Sequence, residues 1–319
     1  MAVQGPGTTW NLPNYAGELF TASPKETPLL SMIGGLTGGA FTTNPEFPTA
    51  QLYEYPDAEQ PEISEAESAT APNAQHIDRN QEKNVVQIHQ KTIDITYHKQ
   101  ASSGMMQGIN TAGQEPDPEN EKAWQTQHAM LIPTARDVEF SFIMGTYQRA
   151  TSVNVPNKTR GMIELCRNFG THIDGNGERL TYAMLQSLYK EMADNGAHFN
   201  NMVMLLPSGL KQEVSDIYGG RPGANLPATR TQGGIDIQTI VTDFTNINIA
   251  WNRFMPVGSL LLCDIRYMQP VFLEVPEKGV LFVEPLGKQG ASDREQLYGE
   301  VGLDHGPGFL HGAITGLAA

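Results

Sequence analysis

Carboxylates are the side chains of this sequence best supplied for chemistry. Glu46, Glu54, Asp57, Glu59, Glu62, Glu65, Glu67 and Asp78 accumulate between Glu26 and Arg79, an interval without a single Lys or Arg. A general acid/base pair needs surroundings that drive its two pKa values apart. This stretch is proline-rich and expected to be solvated, so its carboxylates read as a charged loop. None of the histidines from His76 to His311 stands in an HExxH or Cys-x-x-Cys spacing, which argues against a metal site. Asp174-Gly175-Asn176-Gly177-Glu178 has the opening of a calcium loop, but Arg179 occupies the place of its obligatory Gly, and a simple turn is the better reading. Gly34-Gly35-Leu36-Thr37-Gly38-Gly39 lacks the Lys-Ser/Thr of a phosphate-binding loop and follows a helix, so it reads as a flexible hinge. Ser208 has no Gly-x-Ser-x-Gly context and is expected to cap a helix. No catalytic residue, cofactor or metal follows from these patterns.

Composition narrows the classes further. The 319 residues include 39% hydrophobic and 18% charged side chains, ordinary for a globular protein with a real core. The 32 Gly and 21 Pro favour turns and short strands over a helical bundle. No apolar run approaches the ~18–20 residues of a membrane span. The N-terminus lacks a basic region followed by an apolar one, so export is not expected. Cys166 and Cys263, far apart in sequence, suit a reducing cytosol better than a disulfide framework. The net charge of −14 disfavours tight phosphate neutralisation, though it is compatible with enclosing DNA without gripping it.

The elements that carry the acidic loop are strands. Phe41, Phe47, Tyr53 and Tyr55 fall on odd positions against Thr42, Asn44, Glu46 and Glu54, the alternation of a half-buried strand. A second run, Val85 to Lys99, alternates at Ile93, Ile95 and Tyr97, with a phase change that predicts a bulge or register step near Gln90. Two such strands of about 15 residues would form a hairpin of about 50 Å, about as long as the body that bears it. An isolated ribbon is marginal in water, so this one is expected to lie on another copy of the molecule. Ahead of it, Ser23-Pro24-Lys25-Glu26 matches a capping box and Thr27-Pro28 offers a second helix start. That short helix reads equally as docked on its own body or as a tether between subunits.

Behind the ribbon, Asp117-Pro118-Glu119 opens a helix whose face Trp124, His128, Leu131, Ala135, Val138 and Phe142 runs to about Arg149, kinked at Pro133. A passage of alternating helix and strand follows. It holds a helix over Leu185–Met192, a buried strand over Met202–Leu206 and a helix from Ser208 to Gly219. A glycine-rich loop to Gly234 then carries Arg221 and Arg230. Strands near 237–242, 246–251, 259–263, 267–275, 279–284, 295–303 and 309–315 complete an α+β chain.

This order of parts resembles the major capsid proteins of tailed bacteriophages with the HK97 fold, and among them the SU10-like group. The motif resemblance rests on Asn14-Tyr15-Ala16-Gly17-Glu18-Leu19-Phe20 with Glu26-Thr27-Pro28-Leu29-Leu30-Ser31-Met32-Ile33-Gly34, and near the end on Val283-Glu284-Pro285-Leu286-Gly287, Leu297-Tyr298-Gly299-Glu300 and Gly312-Ala313-Ile314-Thr315-Gly316-Leu317. It implies an N-terminal arm (1–39), an extended β-hairpin E-loop (40–100) and a P-domain with a long spine helix (101–165). An inserted α/β A-domain (166–266) would present its loop at the capsomer centre, and the P-domain strands would return over 267–319. It further implies pentamers and hexamers closing an icosahedral shell around packaged double-stranded DNA, without sequence-specific binding and without a membrane. The expected location is the virion capsid, assembled in the host cytoplasm, with portal and decoration proteins as partners. Because the chain passes almost directly from Met1 into the arm, a separate scaffold, or none, is expected. No Lys lies between Lys25 and Lys83, which argues against a covalent cross-link from the hairpin tip.

The subunit interface is expected to pair the acidic residues Glu54, Asp57, Glu59, Glu62, Glu65 and Glu67 with cations of the next copy drawn from Arg136, Arg149, Arg160, Arg221 and Arg230. Three alternatives remain: an encapsulin-like compartment shell, a cytosolic hydrolase with a hairpin lid, and a phage tail or head-completion protein.

Overall fold

A computed structural model describes residues 27–36, 38–54, 60–71, 76–101, 125–219, 238–288 and 290–318. Among them, thirteen strands form three sheets. In chain order these are β1 (Ala40–Thr42), β2 (Glu46–Glu54), β3 (Asp78–Val85), β4 (Gln87–Thr96), β5 (Thr171–Asp174), β6 (Met202–Leu206), β7 (Gln238–Val241), β8 (Asn246–Trp251), β9 (Leu260–Asp264), β10 (Gln269–Leu273), β11 (Leu281–Pro285), β12 (Ser292–Asp304) and β13 (Gly312–Thr315).

The six-stranded sheet runs β5-β13-β9-β6-β8-β7. Its central strands, Met202-Val203-Met204-Leu205-Leu206 and Leu260-Leu261-Leu262-Cys263-Asp264, are buried at every position. Such continuous apolar runs are what a sheet covered on both faces requires. Val203, Leu205, Leu261 and Cys263 point toward the spine helix (Ile132–Met144) and the helix Met162–Phe169. Met202, Met204, Leu260 and Leu262 point the other way, onto Leu185, Leu188, Met192, Leu210 and Val214 of the helices Tyr182–Asp194 and Ser208–Gly219. Thr181 caps the first of these through its hydroxyl, which accepts from the Met184 N–H.

The five-stranded sheet is organised by β12. One edge of it pairs with β10 and β11, and the other with β4 from Ser292↔Thr96 to Val301↔Gln87; β1 adds in parallel beyond β10. This corrects the expected hairpin. The second alternating run does not pair with the first: β2 pairs with β3, and β4 crosses to β12. The free ribbon of eight to nine residues per strand is therefore about 30 Å long, not 50 Å. The ladder of β4 is continuous through Gln90, so no bulge lies there; His89, Ile93 and Ile95 are buried in one phase. The irregularity sits in β2 between Pro48 and Ala50, where Pro cannot donate to the ladder. Val85 and Val86 are both buried because the chain passes between two sheets at that point.

The spine helix ends at Met144, not near Arg149. A side chain at Gly145 would run into the carbonyl oxygens of Ser141 and Thr159, so the chain turns away where only Gly fits. A π-helical turn, Thr126–Leu131, precedes Pro133. Its wider winding accommodates the ring and the missing N–H without ending the helix. The start of the helix near Asp117 and the capping box at Ser23 lie outside the described residues. At Gly39 a Cβ would collide with the Pro270 backbone, so only Gly allows the close approach of β1 to β10.

Candidate assembly surfaces

The root of the ribbon is built from buried polar side chains. Asn84, fully buried in β3, donates through Nδ2 to the Leu303 carbonyl at 2.7 Å and the Arg160 carbonyl at 3.3 Å, while its Oδ1 accepts from the Arg160 N–H at 2.8 Å. Arg160 donates from Nη1 to the Lys83 carbonyl at 3.2 Å and lies over the rings of Tyr147 (4.6 Å) and Phe169 (4.8 Å). The expectation that Arg160 offers its charge to a neighbour is thus not met: it is buried and engaged within its own chain.

The Glu82 carboxylate lies 3.9 Å from His305 Nδ1. Burial raises the pKa of Glu82 against the opposing pull of the Gly308 N–H and Arg160. His305 is pushed down to about 3 by burial, and His311 to about 4. Both rings are neutral with assigned tautomers: His311 accepts at Nδ1 from the Asp264 N–H, so its Nε2–H donates to the His305 carbonyl at 2.7 Å.

Toward the far end the described side chains are exposed. In β3 Arg79, Asn80 and Gln81 are exposed, whereas Glu82, Asn84 and Val85 are buried. At the tip a four-residue helix, Glu65–Ser68, is held by a capping box that the sequence reading missed: the Ser64 hydroxyl accepts from the Glu67 N–H, and the Glu67 carboxylate accepts from the Ser64 N–H at 2.9 Å. These bonds hold Glu67 below the usual carboxylate range. Glu62, Glu65 and Glu67 are exposed, as is Ile63 between them. Glu54 ends β2; Asp57 and Glu59 lie outside the described residues, as do Arg221 and Arg230.

The other expected cations separate. Arg149 is exposed at the ribbon's root, 3.2 Å from the Glu46 carboxylate of its own chain. Arg136 lies on the outer face of the spine helix, 5.9 Å from the Phe254 ring, which Arg253 also approaches at 5.8 Å. Phe140, half-exposed, meets the same ring edge-on. The structure therefore gathers an arginine–phenylalanine shelf that the sequence did not reveal.

One further side chain escaped the sequence reading. Glu139, fully buried on the spine helix, accepts the Leu29 N–H at Oε1 (2.9 Å) and the Leu30 N–H at Oε2 (2.6 Å), and Oε1 also accepts from Asn252 Nδ2 at 2.5 Å. Its signal was present: Glu139 follows Ala135 by four residues, on the apolar stripe with Val138 and Phe142.

Among the described residues, no group of three His, Cys, Asp or Glu could hold a metal ion, and no helix is long and apolar enough to cross a membrane. Cys166 and Cys263 are fully buried, and burial raises both thiols, Cys263 to about 12. A family model for the SU10 major capsid protein matches residues 2–318. The chain belongs to that family.

This capsid protein is therefore a structural component of a phage shell, located in the virion capsid. Its α+β architecture is the HK97-like fold of solved shell subunits. The cyanophage A-1(L) capsid asymmetric unit is similar at a TM-score of 0.63 and 9% identity, over 92% of this chain and 93% of that one. The Mycobacterium phage Bobi structure gives 0.55 at 12% identity over 94% of each. The holo-SrpI encapsulin complex from Synechococcus elongatus PCC 7942 gives 0.54 at 11% identity, over 88% of this chain and 85% of that one. No curated protein is similar enough in sequence to match.

Proposed function

We propose that this capsid protein assembles as pentamers and hexamers into an icosahedral shell around packaged double-stranded DNA, in the host cytoplasm, with a portal and decoration proteins as companions and with a separate scaffold or none. The observation that supports the reading is the ribbon, fastened at its root by Asn84 and Arg160 and uncovered at its acidic tip. In this reading the parts serve as N-terminal arm (1–39), E-loop (40–100), P-domain (101–165 and 267–319) and A-domain (166–266). The tip carboxylates, Glu62, Glu65 and Glu67 with Glu54, Asp57 and Glu59 before them, meet cations of the next copy. Arg136 on its aromatic shelf and Arg149 are the accessible candidates, while Arg221 and Arg230 face the capsomer centre.

One ribbon-to-neighbour contact supplies about a few kcal/mol after the cost of ordering it. Several such contacts per subunit, made near-intramolecular by ring closure, give the cooperativity of a shell. The chain itself catalyses no reaction in this role. Electron microscopy of the chain expressed alone tests the reading: closed shells or capsomers are expected, and a well-folded monomer at high concentration overturns it. The likeness to an encapsulin shell favours a second reading, a compartment around a protein cargo; the nucleic-acid absorbance of purified native particles separates the two.

A further inference from the structure

The N-terminal end of the described chain is fastened by a side chain about 110 residues away. The helix Pro28–Met32 spans five residues, far short of the ~12–15 that sustain a helix on their own. Thr27, at its N-cap, makes no side-chain capping bond. The N–H groups of Leu29 and Leu30, which a cap would satisfy, donate instead to the two oxygens of Glu139. Asn252 completes the junction: its Nδ2 reaches Glu139, its Oδ1 accepts from the Phe254 N–H at 2.8 Å, and its own N–H donates to the Leu206 carbonyl at 2.9 Å. Leu29 and Leu30 then bury in one core with Val138, Phe142 and Met255. One carboxyl thus joins the arm helix, the spine helix and the loop after β8.

We propose that Glu139 is a positioning residue for assembly, a proton-sensitive latch that registers the arm helix on the spine helix. The proposal rests on the shell reading only for its consequence; the latch itself is a property of one subunit.

Around this carboxyl, the helix Pro28–Met32 presents no titratable group. On the spine helix Arg136 is turned to Phe254 and Asp137 to Lys91, and beyond β8 Arg253 also lies against Phe254. From β9 the Cys263 thiol faces it, raised to about 12 and so neutral. Glu139 is accordingly the group of this junction that changes charge near neutrality. Burial lifts it to about 7, against the downward pull of the Leu30, Leu29 and Asn252 hydrogen bonds. A carboxyl raised above its ordinary 4.5 stabilises the latched state fully below that value, and the stabilisation is lost as pH rises through about 7.

Hydrogen exchange of the Leu29 and Leu30 amides in full-length, unassembled subunits tests this, with rates normalised to the intrinsic rate at each pH. Wild-type protection is expected to fall at least about tenfold between pH 5.5 and 8.5. Glu139→Gln, the neutral isostere of the protonated acid, is expected to hold protection near the wild-type pH 5.5 level at both pH values. Glu139→Ala loses about tenfold or more at both pH values, with the amides of β6 unchanged. Should Glu139→Ala not fold, Asn252→Ala removes one donor and is expected to steepen the pH dependence. Assembly follows the same order, with Glu139→Ala giving few closed shells and Glu139→Gln more. Unchanged arm protection in both Glu139 variants, or the wild-type pH profile persisting in Glu139→Gln, overturns the latch. A latch that titrates in subunits that never form shells overturns the shell reading and leaves the latch standing.

Discussion

The six-stranded sheet and the β2–β3 ribbon put nearly opposite demands on the same chain. The sheet is clothed by helices on both faces, so every residue of β6 and β9 is interior and the unit is complete within one molecule. Among the described side chains, the ribbon is interior where it joins the body, at Phe47, Ala50, Glu82, Asn84 and Val85, and its far end holds charge and the exposed Ile63 and Ile77. The first region folds for stability. The second is stiffened at its base by buried hydrogen bonds, and the described residues of its tip are exposed.

Substitutions in the two regions should therefore differ in kind. The largest effect on the folded subunit is expected from Leu205→Ala, at the middle of the doubly covered sheet, which costs about 2–5 kcal/mol in denaturant unfolding. Arg160→Ala at the ribbon's root removes the bond to Lys83, two ring contacts and the positive charge near Glu82. It is expected to cost about 1.5–3 kcal/mol and to raise exchange in β3 while sparing β6. Lys91→Ala breaks a half-exposed ion pair with Asp137 and should change unfolding by no more than about 1 kcal/mol. Smallest of all, reversing Glu62 and Glu65 to Lys together, with the Glu67 cap left in place, is expected to shift subunit stability by under about 0.5 kcal/mol. Yet it should sharply reduce shell formation seen by electron microscopy; normal particles from that variant would break the contrast between the regions.

Acidity probes the same boundary. Burial lowers His89 to about 4, His305 to about 3 and His311 to about 4. From pH 6.5 downward the unfolded chain binds protons at these rings before the folded one does, so stability falls as pH drops toward 4. Glu139, Glu82 and Asp304, all raised by burial, act in the opposite sense, while His172, also lowered, adds to the three rings, whose large shifts dominate. The denaturant midpoint is expected to fall between pH 7 and pH 5.

Much of the fold could be read from the sequence because periodicity reports burial directly. The run Met202–Leu206 was legible as an interior strand and Leu185–Met192 as a helix, though its Thr181 cap was not. Periodicity does not report partners. The alternation of Ile93 and Ile95 marks a covered face, but nothing local indicates that β4 lies beside β12, some 200 residues on, rather than beside β2. Nor does residue type report surroundings: Arg160 reads as a surface cation until Tyr147 and Phe169 close around it. Glu139 was visible as a carboxylate on an apolar stripe, but its three donors come from two distant segments that only the fold brings together.

The way β3 runs into β4 has a mechanical consequence. Traction on the ribbon passes through Val86 directly into the ladder between Gln87 and Thr96, whose hydrogen bonds lie across the strands. Such a pull is borne in shear by the whole ladder at once rather than peeling it apart rung by rung. Tension along the ribbon would thus meet this subunit where ten paired residues share the load.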